Sequence, residues 1–190
     1  MMVVMARTRK NPGSLPCGYR YGGAVAPRAG STLYHLGLGS NLGDRRAHLE
    51  AALAFLGGIG RVRKRSSIYE TDAVGMPGSP PFLNMAVALE TALPPLELLR
   101  ACKAHESAQG RDPHDSHFRD RAIDIDILLA GDLVLAAPEL AIPHPRLAER
   151  GFVLVPLFEI APKLLHPIEK ETVVRLLARL KGTGGVRRIP

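Results

Sequence analysis

The sequence predicts an α+β fold of the ferredoxin-like, split βαβ kind: a mostly antiparallel sheet with two helices packed on one face. Three observations predict it. Strand-like and helix-like periodicities follow one another in the order β-α-β-β-α-β between Leu33 and Ala130. A Gly/Pro-rich run, 71–81, interrupts that order between the middle strands. The last strand, within Arg121-Ala-Ile-Asp-Ile-Asp-Ile-Leu-Leu-Ala130, carries two carboxylates where apolar residues are expected. With helices on one face, the other is left free for a site.

Order begins near Thr32. Leu33–Gly39 is a strand, and Ser40-Asn41-Leu42-Gly43-Asp44 a turn in which Asp44 is a helix N-cap. Leu49, Ala52, Leu53 and Leu56 recur at helical spacing, and Gly57-Gly58 closes that helix. Arg61 to Glu70 alternates through Val62, Ser66 and Ile68 as a half-exposed strand. Residues 71–81 form a loop of the length used for lids and binding loops. Phe82–Glu90 is a second buried strand whose one interior polar residue, Asn84, needs partners. Pro94-Pro95 opens a helix with Leu96, Leu98, Leu99 and Cys102 on its apolar side and Glu106 one turn beyond; Gln109-Gly110 closes it. The polar run from Arg111 leads into the two-carboxylate strand and reads as a mobile cover over it. Gly131-Asp132 suits a hairpin turn, with Leu133-Val134-Leu135 returning. A turn-rich stretch then holds His144, Arg146 and Arg150. Val153 to Ile160 is core, and Glu171 to Leu180 is a terminal amphipathic helix.

The 190 residues are 46% hydrophobic, which suits one domain with a sizeable core. Two cysteines, Cys17 and Cys102, form no zinc or disulfide pattern, so a reducing, cytoplasmic compartment is expected. No stretch has the length and apolar character of a membrane span. The net charge of +7 invites a nucleic-acid reading. Its distribution argues against one: residues 1–31 hold five Lys/Arg and residues 181–190 three, both without Asp or Glu. The body between them is close to neutral. The division is therefore a Gly/Pro-containing basic extension (1–31), one domain (32–180) and a basic tail (181–190).

Asp124 and Asp126 share one face of their strand, while Ile123, Ile125 and Ile127 take the other. Two anions on a buried strand repel and lose hydration, and a divalent cation between them removes both problems. Carboxylate oxygens from only one or two protein groups suit Mg²⁺, which takes its other ligands from water and a phosphorylated substrate. Arg121 is placed to face the same phosphates. An RNA-binding sheet of this fold would carry aromatics on a basic face, not two aspartates. Another D-x-D transferase shares the carboxylates but leaves the flanking motifs unexplained.

Those motifs are Gly39-Ser40-Asn41-Leu42-Gly43-Asp44, Phe82-Leu83-Asn84, Glu106 with Gly110-Arg111, Arg121-x-x-Asp124-Ile125-Asp126-Ile127-Leu128, and Pro143-His144-Pro145-Arg146 with Glu149-Arg150. Together, in this order, they resemble the 6-hydroxymethyl-7,8-dihydropterin pyrophosphokinases of folate biosynthesis over about residues 33–163. The resemblance implies transfer of the β,γ-diphosphate of ATP to the pterin hydroxymethyl group, releasing AMP. It implies two Mg²⁺ ions on Asp124 and Asp126, and Arg111 and Arg121 as catalytic arginines. ATP contacts are implied for Glu106, Arg111, Arg121, Ile127, His144 and Arg150. Thr71, Val74, Gly75, Phe82, Asn84, Phe118 and Phe152 are implied around the pterin. The resemblance brings a monomer with no nucleic-acid or membrane partner. The chain departs from the family pattern at Arg119-Asp120, where a small residue and proline are usual, and at Phe118, Pro113 and Glu139.

Overall fold

The computed structural model describes residues 30–73, 75–110, 120–183 and 185–190. Val74, Arg111, Pro113, Phe118 and Arg119 lie outside the described residues, as does the extension through residue 29. The elements are β1 (Thr32–Ser40), α1 (Arg45–Ile59), β2 (Arg61–Arg65), β3 (Tyr69–Thr71), β4 (Phe82–Thr91), α2 (Pro95–Ala108), β5 (Asp124–Ala130), β6 (Leu135–Ala136), β7 (Ala141–Ile142), α3 (Gly151–Ile160), α4 (Val173–Arg179) and β8 (Arg187–Arg188).

The main sheet runs β5-β1-β4-β3-β8, with β2 also on β4, and its pairs are antiparallel. This is the order expected of a split βαβ fold. β1 pairs with β4 along its whole length, from Thr32 opposite Thr91 to Ser40 opposite Leu83. The expected single strand over 61–70 is two strands, β2 and β3, on successive parts of β4. Ser66 makes the break. Its N–H donates to Ala86 O at 2.9 Å, and its hydroxyl accepts from Ala86 N at 2.9 Å. The side chain replaces a backbone acceptor, so the ladder is interrupted without leaving Ala86 unsatisfied.

Side-chain alternation divides the core. Tyr34, Leu36 and Leu38, Leu83 to Leu89 at odd positions, and Ile125 and Ile127 pack with Leu49, Ala52 and Leu56 of α1 and Leu98 and Cys102 of α2. The opposite face is also covered, contrary to the expectation of a free one. Leu33, Ala86, Ala88, Leu128 and Leu129 pack with Leu154 and Leu157 of α3 and Leu176 of α4. The 151–160 stretch is the reason. Val153, Leu154, Leu157 and Ile160 fall on one helical stripe, with Phe158 and Glu159 outward. α3 lies chiefly over β4 and leaves Gly37, Asp124 and Asp126 partly exposed.

Three local expectations change. α1 runs through Gly57-Gly58, because Leu56 is fully buried and Ile59 packs on the core. It stops at Gly60, where a Cβ would come within 2.6 Å of Glu90 O. β5 is an edge strand of the sheet, not a central one. Its outer edge is occupied: Ile125 N–H donates to Glu106 Oε1 at 2.8 Å, and Leu128 O accepts from His144 N–H at 2.9 Å. The chain after Gly131-Asp132 therefore finds no open ladder on β5. β6 pairs with β7 instead, as a separate two-stranded sheet. Among the described residues, no helix is long and apolar enough to cross a membrane.

Candidate active site

The open end of the α3-side face is built from two cross-strand rows. In one, Asp124 of β5 lies opposite Gly39 of β1, which lies opposite Asn84 of β4. In the next, Asp126 lies opposite Gly37 and Gly37 opposite Ala86. Two interstrand steps separate Asp124 from Asn84, about 10 Å between backbones. The middle of each row is a glycine, so the floor between carboxylates and amide is bare backbone. A Cβ at Gly39 would crowd Asn84 Oδ1 at 3.2 Å and touch Phe82 Cδ1 at 3.7 Å, so a side chain there would press on the amide.

Asn84 is buried, and its Nδ2 donates to Thr71 Oγ1 at 2.7 Å. That bond fixes the amide, sets its carbonyl over Gly39, and ties β4 to the start of the 71–81 loop. Phe82, at the loop's other end, flanks the same glycine. Gly75 takes a φ of 77° within the loop.

The two carboxylates have different surroundings. Asp124 accepts from Arg121 Nη1 at 2.8 Å, and Lys103 Nζ stands 4.0 Å from its other oxygen. Asp126 is only partly exposed, and the desolvation imposed by the protein around it, reinforced by the charge of Asp124, pushes its carboxyl up to about 7. Arg121 and Lys103 offset Asp124, but neither of them ion-pairs with Asp126 among the described residues, and adjoining carboxylates of this kind fit a hard divalent cation. Among the described residues no three His, Cys, Asp or Glu converge in a metal-holding set. An ion on this face would take two protein carboxylates and complete its shell from water or phosphate.

Glu106 holds this strand from α2. It is fully buried, accepts from Ile125 N–H through Oε1, and both of its oxygens accept from Lys103 Nζ at 2.9 Å. The Ile127 side chain points away from the carboxylates into the core, so what it offers the site is backbone. Its N–H and C=O project to the same outer edge as those of Ile125. His144 sits against that edge through its bond to Leu128 O. Its Nδ1 accepts from Arg146 N–H at 3.2 Å, which leaves the proton on Nε2 as a donor. Burial, and then the charge of Arg150, lowers its pKa, so the ring is neutral at pH 7. Arg150 caps α3 and lies 5.4 Å over the Phe152 ring.

Of the expected site residues within the described stretches, Asp124, Asp126, Arg121, Glu106, Asn84, Thr71 and Phe82 line or support one end of the sheet, with Gly75 in the loop between Thr71 and Phe82 and His144, Arg150 and Phe152 on the adjoining chain. Sequence reasoning missed Lys103, the cation between Glu106 and Asp124. Its signal was the i, i+3 spacing to Glu106. It also left Asn41 without a task. Asn41 N–H donates to Arg121 O at 3.1 Å, its Oδ1 accepts from Arg121 N–H at 2.7 Å, and its Nδ2 donates to Asp120 Oδ1 at 2.7 Å. The unusual Asp120 thus has a partner, and the entry to β5 is fastened to the turn after β1.

Comparison with known proteins is consistent with this geometry. Residues 35–162 match the family model described as 7,8-dihydro-6-hydroxymethylpterin-pyrophosphokinase. A protein of Methylorubrum extorquens named 2-amino-4-hydroxy-6-hydroxymethyldihydropteridine pyrophosphokinase is 44% identical over 156 residues, spanning 80% of this chain and 96% of that one. A protein of the same name from Porphyromonas gingivalis is 43% identical over 139 residues, spanning 71% and 94%. The fold is similar to the solved Plasmodium falciparum HPPK-DHPS wild type with pterin and p-hydroxybenzoate, with a TM-score of 0.62 at 19% identity. That match covers 78% of this chain but 43% of the larger Plasmodium chain.

Proposed function

The chain belongs to the 7,8-dihydro-6-hydroxymethylpterin-pyrophosphokinase family, and from that premise we propose how its residues carry out the reaction. Its activity is pyrophosphorylation of the hydroxymethyldihydropterin in folate biosynthesis. In our reading the donor is ATP, its β,γ-diphosphate passes to the pterin hydroxymethyl oxygen, and AMP leaves. The observation that carries this is the bare glycine row between Asn84 and Asp124, with Asp126 beside it.

A flat bicyclic pterin fits the bare floor between the two ends of that row. Asn84 recognises its amide-like edge, oriented by Thr71, and the Phe82 and Phe152 rings cover its faces. The family resemblance assigns Val74, Gly75 and Phe118 to the pterin as well. Asp124 and Asp126 are the residues that would hold Mg²⁺, two ions being expected with ATP. When bound, that metal neutralises charge on the diphosphate.

The rest is positioning by the chain itself. Arg121, anchored through its backbone by Asn41, brings a guanidinium to the transferred group, and Arg111 adds a second. His144 presents Nε2–H and Arg150 a cation to the nucleotide. Glu106 and the outer backbone edge at Ile127 border the nucleotide side, with Lys103 holding Glu106 in place. No side chain needs to act as a strong base, because loose phosphoryl-type transition states depend on charge neutralisation and alignment. The 71–81 loop excludes water from ATP.

The deciding experiment is a coupled assay for AMP with ATP, Mg²⁺ and 6-hydroxymethyl-7,8-dihydropterin, against a pterin-free control. Pterin-dependent AMP release is expected, and Asp124→Ala or Asp126→Ala abolishes it while circular dichroism stays native. Turnover retained in both variants overturns the carboxylate assignment.

A further inference from the structure

We propose that β8, with Arg187 as its main contact, is a positioning element for the 71–81 loop and therefore for the pterin. The proposal rests on the reading above. The loop leaves β3 at Thr71 and enters β4 at Phe82. Glu70, the residue before it, divides its carboxylate between two distant arginines. Oε1 accepts from Arg45 Nη1 at 3.0 Å, and Oε2 accepts from Arg187 Nη2 at 2.8 Å. The same Arg45 Nη1 donates to Pro81 O, at the far end of the loop, at 2.7 Å. One carboxylate and one guanidinium thus clasp both ends of the loop, and Arg187 secures the carboxylate from the other side.

β8 is itself held in place. Arg187 pairs with Glu70 and Arg188 with Tyr69 in an antiparallel ladder. Ile189 N–H donates to Ile68 O at 3.0 Å, and Arg46 Nη2 donates to Pro190 O at 2.7 Å. Ile189 packs against the main core. Gly185 passes beside Asp72, the second loop residue: a Cβ there would be 3.4 Å from Asp72 Oδ2. Without β8, β3 is a three-residue strand paired on one side only, a weak hinge for a binding loop. Residues 185–190 lie beyond the family match, which ends at 162, so the strap is separate from the motifs that identify the family. Its effect is to hold the loop ends before substrate arrives, which lowers the ordering cost of binding.

Arg187 is a surface residue, so its ion pair alone contributes little and the strand as a whole does more. The test compares the full chain with a chain ending at Gly182, and with Arg187→Ala, Arg187→Lys and Arg187→Glu. Kinetics of AMP release are measured with pterin and ATP varied separately. Ending the chain at Gly182 is expected to raise the pterin KM about tenfold, and Arg187→Ala about threefold. Arg187→Glu, which sets like charge against Glu70, exceeds Arg187→Ala, while Arg187→Lys restores most of the affinity. The ATP KM and kcat stay within about twofold throughout. An unchanged pterin KM in Arg187→Glu overturns the proposal, and that variant decides the matter if the shortened chain fails to fold. Equal losses for both substrates also overturn it. If the full chain itself releases no AMP, the functional reading fails instead.

Discussion

Beneath α3 the sheet presents Leu33, Ala86, Ala88, Leu128 and Leu129; a few residues away on the same strands and face it presents Gly37, Gly39, Asn84, Asp124 and Asp126. The backbone register is continuous between the two ends, apart from the extra residue at Leu128 that lets Leu128 and Leu129 both join the covered end. What differs is side-chain size and charge. The covered end buries apolar area and stabilises the fold. The open end desolvates one carboxylate beside another and gives up side-chain packing at two glycines, both of which cost stability. A ligand can recover that cost and the covered end cannot, so substitutions at the two ends should register in different measurements.

The largest expected effect on stability belongs to the covered end. Leu157 is fully buried, and Leu157→Ala should lower the unfolding free energy by about 2–5 kcal/mol in a denaturant titration. At temperatures where the variant is folded, kcat should stay within about twofold. A loss of kcat as large as the loss of stability would break the comparison, since the two ends would then be mechanically one.

The next effect belongs to the open end. Asn84→Ala should weaken pterin binding by about tenfold or more, from the lost amide contacts, while destabilising by only about 1–2 kcal/mol through the Thr71 hydroxyl left without its donor. Pterin titration alongside a denaturant melt separates the two. A variant that binds pterin normally would remove Asn84 from the site and leave it a structural bond between β4 and the loop.

The local chemistry of this division was legible in the sequence, and its coverage was not. The alternation of Ile and Asp from Ile123 to Ile127 placed the carboxylates on one face. Asp44 was recognisable as a cap, and its side chain accepts from Ala47 N–H at 3.0 Å. Helix α2 followed from apolar spacing, with Glu106 one turn beyond Cys102, though its full burial did not. What failed depended on partners distant in sequence. Gly57-Gly58 looked like a stop, but packing of Leu56 and Ile59 outweighs the roughly 1 kcal/mol that each glycine costs a helix. The helix ends at Gly60, which is extended and has no room for a Cβ against Glu90 O. The apolar residues of β5 marked it as buried but not as an edge strand; Glu106 and His144 cover its outer edge from distant parts of the chain. The role of Asn41 depends on Asp120 and Arg121, about 80 positions away in the chain, and no local pattern carries it.

The effect smallest at neutral pH concerns the one titrating group at the covered end that the comparison singles out. His35 lies opposite Ala88 and Leu129, is 4% exposed, and its Nδ1 has no hydrogen-bond partner among the described residues. Burial, with a smaller contribution from the charge of Lys64, lowers its pKa from 6.5 to about 4. The sign follows from proton linkage. Between pH 6.5 and 4 the unfolded chain takes up a proton that the folded protein excludes, so stability falls as the pH drops through that window and is insensitive to this group above it. His35→Leu removes the proton site while keeping an apolar side chain of similar size. Its unfolding midpoint should therefore decline less between pH 7 and pH 5 than that of the parent chain, with pterin affinity unchanged at pH 8. An equal decline would mean that the covered end excludes no proton there. The acid sensitivity would then have to come from carboxylates such as Glu70, whose bond to Arg45 lowers its pKa and whose contribution is lost on acidification.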